Sequence, residues 1–267
     1  MEYVHGYSAR ESVRLTEQSA ILEELLHRGT TYPSGSKVLE AGCGIGAQTI
    51  ILAKNSPAAK FISFDISKES LAKARGAIEK AKIANVEFRE ANVFDLSFED
   101  ESFDHIFVCF LLEHLNKPKD SLLELKRVLK SGGSITVIEG DHGSCFWYPQ
   151  TEASIKVWNA LIIAQQHHGH DPLIGRKVYP LLMETGFTIQ DVSPRYVYGD
   201  LGKQKLLDGM VHKIIVPMVQ SAKEQILDEK IVDLPTWNKG ISDLSSSGNP
   251  PDGTFFYTWF KGIAFKE

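Results

Sequence analysis

Short apolar runs alternate with helical stripes along the first half of the chain. Ile21, Leu22, Leu25 and Leu26 share one face behind the polar run Arg14-Leu15-Thr16-Glu17-Gln18, the spacing of an amphipathic helix. Tyr32-Pro33-Ser34-Gly35 carries the turn residues that end it. Lys37-Val38-Leu39-Glu40 reads as a short strand entering a glycine turn, with a helix following through Thr49, Ile50, Leu52 and Ala53. Residues 60–65 predict a second strand, and Ser67 is placed to cap a helix rich in Ala, Lys and Glu that runs to Lys82. Residues 86–90 predict a third strand. Residues 103–110 predict a fourth, apolar on both faces after Asp104, as a central parallel strand is. Pro118 and Gly132-Gly133 bracket a helix with Leu122, Leu125 and Leu129 inward. Residues 134–139 predict a fifth strand.

The second half is less regular. Residues 151–167 and 175–184 predict helices, the latter closed by Gly186, and 187–198 predicts a strand. Residues 201–232 carry mostly helical signal interrupted near Pro217, 242–252 read as a Ser/Gly/Pro-rich loop, and 255–265 as an aromatic strand. Strand–helix alternation at this spacing implies an α/β fold with helices on both faces of a parallel sheet, its last strand delayed by an insertion.

Composition narrows the class. Of 267 residues, 43% are hydrophobic and 24% charged, values of an ordinary folded domain. Lys plus Arg number 29 and Asp plus Glu 34, a net charge of −5, so the chain as a whole does not attract nucleic acid or anionic membrane. Cys43, Cys109 and Cys145 are far apart and form no disulfide framework, which suggests a reducing, cytoplasmic setting. No signal peptide is readable at the N terminus, and the apolar run 106–112 is too short to span a bilayer.

Glu40-Ala41-Gly42-Cys43-Gly44-Ile45-Gly46 is the strongest local signal. Closely spaced glycines after a strand let the backbone turn sharply and approach a ligand, and the next helix offers free N–H groups. A nicotinamide dinucleotide is one candidate, but its fingerprint is G-x-G-x-x-G and this chain has G-x-G-x-G. Glu40 sits poorly beside a pyrophosphate and well beside a cationic or hydroxyl-bearing ligand. Asp65, ending the second strand, is placed on the edge where parallel strands line a crevice, and a carboxylate there accepts both hydrogens of a ribose diol.

Residues 38–46 closely resemble the first motif of the class I S-adenosylmethionine-dependent methyltransferases, a resemblance that covers residues 37–139 clearly. Arg127-Val128-Leu129-Lys130-Ser131-Gly132-Gly133 resembles that family's Arg-x-Leu-x-x-Gly-Gly ending, and Leu111-Leu112-Glu113-His114-Leu115 its loop after the fourth strand. The resemblance implies a Rossmann-like methyltransferase fold: α/β, doubly wound, with a mostly parallel seven-stranded sheet, an N-terminal lid helix and a mainly helical insertion before the last strand. With the turn signals that set off an insertion between Gly199 and Gly253, the expected division is a lid segment 1–36, a cofactor-binding domain 37–199 with 253–267, and an acceptor-side cap 200–252. The resemblance also implies S-adenosyl-L-methionine as cofactor. Glu40, Gly42, Cys43 and Gly44 would hold its amino-acid end, Asp65 and Ile66 the ribose side, Asn92 and Val93 the adenine, and Phe110 would border it. Asn92 stands where the family often has an acid. Tyr7 and Arg14 resemble a lid helix that closes over the methionine end, the guanidinium meeting its carboxylate.

The acceptor is less legible. His142, directly after the predicted fifth strand, and His114 are the candidate catalytic bases. His167-His168-Gly169-His170-Asp171 lacks the paired spacings of a zinc site, and no metal is expected. Aromatic residues in the insertion favour a small, partly apolar acceptor, with nucleic acid disfavoured. Trp237 and the 242–252 loop are expected to form a movable cover on the acceptor side. An NAD-linked oxidoreductase and a non-catalytic cofactor-binding scaffold are the alternatives.

Overall fold

The element order follows from the patterns above. The computed structural model describes residues 9–249 and 251–267. α1 (Ala9–His27) precedes β1 (Lys37–Ala41), α2 (Ala47–Asn55), β2 (Lys60–Asp65), α3 (Lys68–Lys80), β3 (Val86–Glu90), β4 (Phe103–Cys109), α4 (Pro118–Val128) and β5 (Leu129–Tyr148). α5 (Glu152–His167), α6 (Val178–Glu184), β6 (Thr188–Gly199), α7 (Gln204–Asp208), α8 (Val216–Ser221), α9 (Lys223–Asp228), α10 (Leu234–Ser246) and β7 (Thr254–Phe265) complete it. The Ser67 side chain accepts the Ser70 N–H at 3.2 Å and so starts α3.

The strands form one sheet in the order β3-β2-β1-β4-β5-β7-β6. β1 through β5 pair in parallel, with Leu39 beside Ile62 and Ile106, and Val108 beside Val137. Gly132 donates to the Lys266 carbonyl and Lys266 to that of Gly133, so the end of β7 meets the start of β5, the arrangement of an antiparallel pair. β2 and β3 extend the sheet one way from β1, β4 and β5 the other. The turn after β1 therefore sits at the switch point, where the carboxyl ends of adjacent strands part and leave a crevice.

Several elements differ from their predicted extents. α4 stops at Val128, because Leu129 is drawn into the sheet opposite Phe103. Gly132 and Gly133 lie in an irregular start of β5, between the pairs Phe103–Leu129 and His105–Ser134, rather than closing a helix. β5 itself runs on to Tyr148 and takes His142 into the strand. The helical signal is not broken at Pro217. The chain reaches it through a π-helical stretch, Gly209–Ile215, whose wider turn relieves the clash of the proline ring with the preceding carbonyls. Half of the expected 242–252 loop is helical, since α10 continues to Ser246.

The chain divides into two compact units, one of residues 23–140, 174–195 and 259–267, the other of 1–22, 141–173 and 196–258. The first unit is centred on Leu39, Phe64, Phe103, Ile106, Leu125 and Val137, where alternate side chains of the parallel strands meet those of α4. In the second, α10 lies against α5 so closely that a Cβ on Gly240 would be 2.4 Å from the Ala153 carbonyl and from Val157. Thr151 Oγ1 donates to Asp243 at 2.6 Å across the same pair. Trp237, on α10, is only 3% exposed and lies in the interior of this unit. An indole on the inner face of a helix packed this closely buries more apolar area than it could in a loop.

One buried charge secures the first unit. Lys261 on β7 is 1% exposed, and its ammonium donates to the carbonyls of Leu26 at 3.2 Å and Arg28 at 3.0 Å and to Thr30 Oγ1 at 2.5 Å. It thus satisfies carbonyls at the end of α1, where a positive charge also favours the helix dipole. Burial, then Arg195 nearby, lower its pKa to about 8. Lys261→Met is expected to destabilise the chain by about 1–3 kcal/mol, because the carbonyls lose their donor while staying buried. Urea denaturation checks this, and an unchanged midpoint would refute the stapling role.

Candidate functional site

β1 delivers the chain into the turn at residues 42–46. The N–H groups of Gly42 and Cys43 both donate to the Phe64 carbonyl at 2.9 Å, and Gly46 donates to Cys43 at 2.9 Å. Gly42, Gly44 and Gly46 have φ values of +71°, +51° and +80°. The three differ in what surrounds them. A Cβ on Gly42 would lie 2.8 Å from Leu111, and one on Gly46 would lie 3.0 Å from Ala74 of α3, so both are needed for close approach. A Cβ on Gly44 would meet nothing within 4 Å.

Asp65, at the end of β2, spans the turn. One carboxylate oxygen accepts the Gly44 N–H at 2.9 Å and the other the Ser67 N–H at 2.8 Å. Ile66 beside it is exposed. Glu40 points into the protein instead. Its Oε2 accepts from Thr49 Oγ1 at 2.7 Å and Ser63 Oγ at 2.6 Å, tying α2, β1 and β2 together. Burial raises its pKa to about 7 against the opposing effect of these two hydrogen bonds, and Asp65 adds to the rise. The Cys43 thiol is buried and its pKa is likewise raised, by desolvation first.

Asn92 is exposed and its Oδ1 accepts the Phe94 N–H at 3.1 Å, a local turn, while Val93 faces the core. Phe110 follows β4 with φ +56° and donates its N–H to Ile138. His114 ends a short 3₁₀ turn (Leu112–His114), with Nε2 3.4 Å from the Glu113 carboxylate. Glu40, Gly42, Cys43, Gly44, Asp65, Asn92, Val93, Phe110 and His114 thus all belong to the first unit.

Arg14 and His142 belong to the second unit. The Arg14 guanidinium is held by both oxygens of Glu11, at 2.8 and 2.6 Å, and by Gln18 at 2.6 Å. His142 is buried: Nδ1 lies 2.6 Å from the Tyr257 hydroxyl, and Trp158 Nε1 donates to the His142 carbonyl at 3.1 Å. Tyr7 lies outside the described residues. His167 is bound to Glu229 at 2.6 Å, and among the described residues no three His, Cys, Asp or Glu side chains converge as metal ligands. No helix among the described residues is long and apolar enough to cross a membrane.

Sequence reasoning missed Glu139, Thr49 and Ser63, and it named Leu111 only within the loop after the fourth strand. The one available signal was Glu139 itself, a charge following the largely apolar residues 135–138. Thr49 and Ser63 carry no chemistry that stands out along the chain; only tertiary contact gives them a part in the turn.

The glycine turn at the switch point and the acid ending β2 sit on a Rossmann-like α/β fold. The methyltransferase-domain family matches residues 33–186, and the chain belongs to it. An uncharacterized methyltransferase of Schizosaccharomyces pombe is 28% identical over 210 residues, covering 74% of this chain and 72% of the relative. A demethylmenaquinone methyltransferase of Bacillus cereus is 32% identical over 106 residues, 39% of this chain and 45% of that protein. The phosphoethanolamine N-methyltransferase 2 of Haemonchus contortus, solved in complex with S-adenosyl-L-methionine, shares the fold with a TM-score of 0.59 and 18% identity, over 97% of this chain and 57% of that one. The protein is an S-adenosylmethionine-dependent methyltransferase, and the oxidoreductase alternative falls away.

Proposed function

We propose that this methyltransferase seats S-adenosyl-L-methionine on the turn at residues 42–46 and passes its methyl group to a small, partly apolar acceptor. The observation that carries the reading is the open space beside Gly44 together with the Gly44–Asp65 hydrogen bond, which holds a carboxylate at the rim of the turn. Gly42, Cys43 and Gly44 would offer backbone to the amino-acid end, and Asp65 would accept from the ribose hydroxyls. Ile66, Asn92 and Val93 would flank the adenine, and Phe110 would border the cofactor. Glu40 would keep the turn in shape from beneath. The bound cofactor supplies an electrophilic methyl group, and the chain's own task is to align the acceptor and exclude water.

A general base is needed only for an acceptor that is protonated at rest. His142, braced by Tyr257 and Trp158, and His114, beside Glu113, are the residues proposed for that part. A relative named for demethylmenaquinone supports a small-molecule acceptor, and the net charge of −5 favours it over nucleic acid. Free thiols at Cys43, Cys109 and Cys145 suit the cytoplasm.

Incubating the enzyme with methyl-labelled cofactor and a metabolite extract tests the acceptor class. Label is expected in a small organic product that partitions toward apolar solvent; label found only in nucleic acid or protein would overturn the assignment. Asp65→Ala is expected to weaken cofactor binding by about 1.5–3 kcal/mol, the scale of hydrogen bonds to a charged partner. Asp65→Asn retains one acceptor oxygen and is expected to lose less. Calorimetric titration measures both, and unchanged affinity in the alanine variant would remove Asp65 from the site.

A further inference from the structure

Glu139 lies within the buried run of β5 and is 0% exposed. β4 and β5 pair as far as Cys109 and Ile138, and Phe110 still donates to the Ile138 carbonyl. Beyond that point the backbone turns through the positive φ of Phe110, a conformation uncommon for a bulky residue, and the strand ladder ends. The next two amides, of Leu111 and Leu112, are taken by Oε1 of Glu139 at 3.0 and 2.7 Å. One side chain thus replaces the ladder across the turn. The Leu111 side chain in turn lies over Gly42, where a Cβ would be 2.8 Å from it.

We propose that Glu139 is a positioning residue for methyl transfer, an acceptor that holds the turn at 110–114 and, through Leu111, presses that turn against Gly42. The inference rests on the reading of residues 42–46 as the cofactor turn. Burial, and then the nearby Glu113, push the Glu139 carboxyl well above the usual range, against the hydrogen bonds from the backbone amides that favour its charge. Both amides meet the one oxygen, Oε1, so the chemistry asked of the residue is that of a carbonyl oxygen at the reach of a glutamate side chain, which glutamine also supplies.

The test compares Glu139→Gln, Glu139→Asp, Glu139→Ala and Leu111→Ala by equilibrium titration with S-adenosyl-L-methionine, with folding followed by circular dichroism. Glutamine is expected to stay within about twofold of the parent, while aspartate, one methylene short, and alanine lose about tenfold or more, as expected when two buried amides lose their acceptor. Combining Glu139→Ala with Leu111→Ala is expected to lose less than the two losses multiplied, since both act through one contact. Retention by aspartate with loss by glutamine would show that charge is what matters and overturn the proposal. Parental affinity in the aspartate and alanine variants would overturn it too. If alanine does not fold, the glutamine–aspartate pair decides. Gly44→Val is the control: if it keeps the cofactor, the reading of the turn fails and this proposal with it. If it loses the cofactor while Glu139→Asp keeps it, only the role of Glu139 fails.

Discussion

Gly44→Val is expected to reduce cofactor affinity by about 100-fold or more, roughly 3 kcal/mol, with the fold retained. The backbone at Gly44 has φ +51°, so a β-branched residue there is strained by about 1–3 kcal/mol, a cost borne by stability. The added side chain has room in the protein alone, since nothing lies within 4 Å of its first carbon. It would instead fill the space the ligand needs and disturb the N–H that Asp65 accepts. Gly42 and Gly46 make poorer tests, because side chains there would strike Leu111 and Ala74 and confuse binding with folding. Calorimetric titration together with a thermal melt checks the expectation. Parental affinity in a folded variant would mean that the turn only reverses the chain.

Glu40→Gln is expected to change how stability depends on pH. The folded-state pKa of Glu40, about 7, lies above the usual glutamate value of 4.5. Between these two values the folded chain holds a proton that the unfolded chain has released. The contribution of Glu40 is therefore full below about pH 4.5 and is lost as pH rises through about 7. Its size is about 3 kcal/mol, at 1.36 kcal/mol for each pKa unit. Glutamine keeps an acceptor for Thr49 and Ser63 without the ionisation. The variant is thus expected to gain on the parent protein as pH rises across this window. Urea denaturation at a series of pH values measures the difference, and a difference independent of pH would show that Glu40 ionises in its ordinary range.

Much of the first half was legible because local and global preferences agree there. The strands at residues 60–65 and 86–90 match β2 and β3 in full, and Ser67 caps α3 as its side chain and position imply. These elements are short, apolar on the buried face and bounded by turn residues, so periodicity alone finds them. The extent of β5 was not legible. Gly132 and Gly133 carry the signature of a helix end, yet pairing with Phe103 and with Lys266 draws their neighbourhood into the sheet. The 242–252 segment looks like a loop by composition, but packing against α5 extends α10 into it.

The site divides in the same way. The glycine turn, the place of Asp65 at the end of its strand and the family they resemble could be read from residues 38–65, because a positive φ favours glycine and the motif is local. Glu40 was legible as an acid but not as to where it points, since only the contacts with Thr49 and Ser63 turn it inward. Trp237 shows the same limit: an aromatic in a helical insertion reads alike whether it covers a site or fills an interior. The sequence by itself determined the α/β class, the succession of strands and helices up to β5 and the glycine turn, because these rest on local backbone preferences and a two- or 3.6-residue period. The tertiary structure alone decided the length of β5, the burial of Lys261 and the grip of Glu139 on the turn after β4, because each depends on residues far apart in the chain meeting where water is excluded.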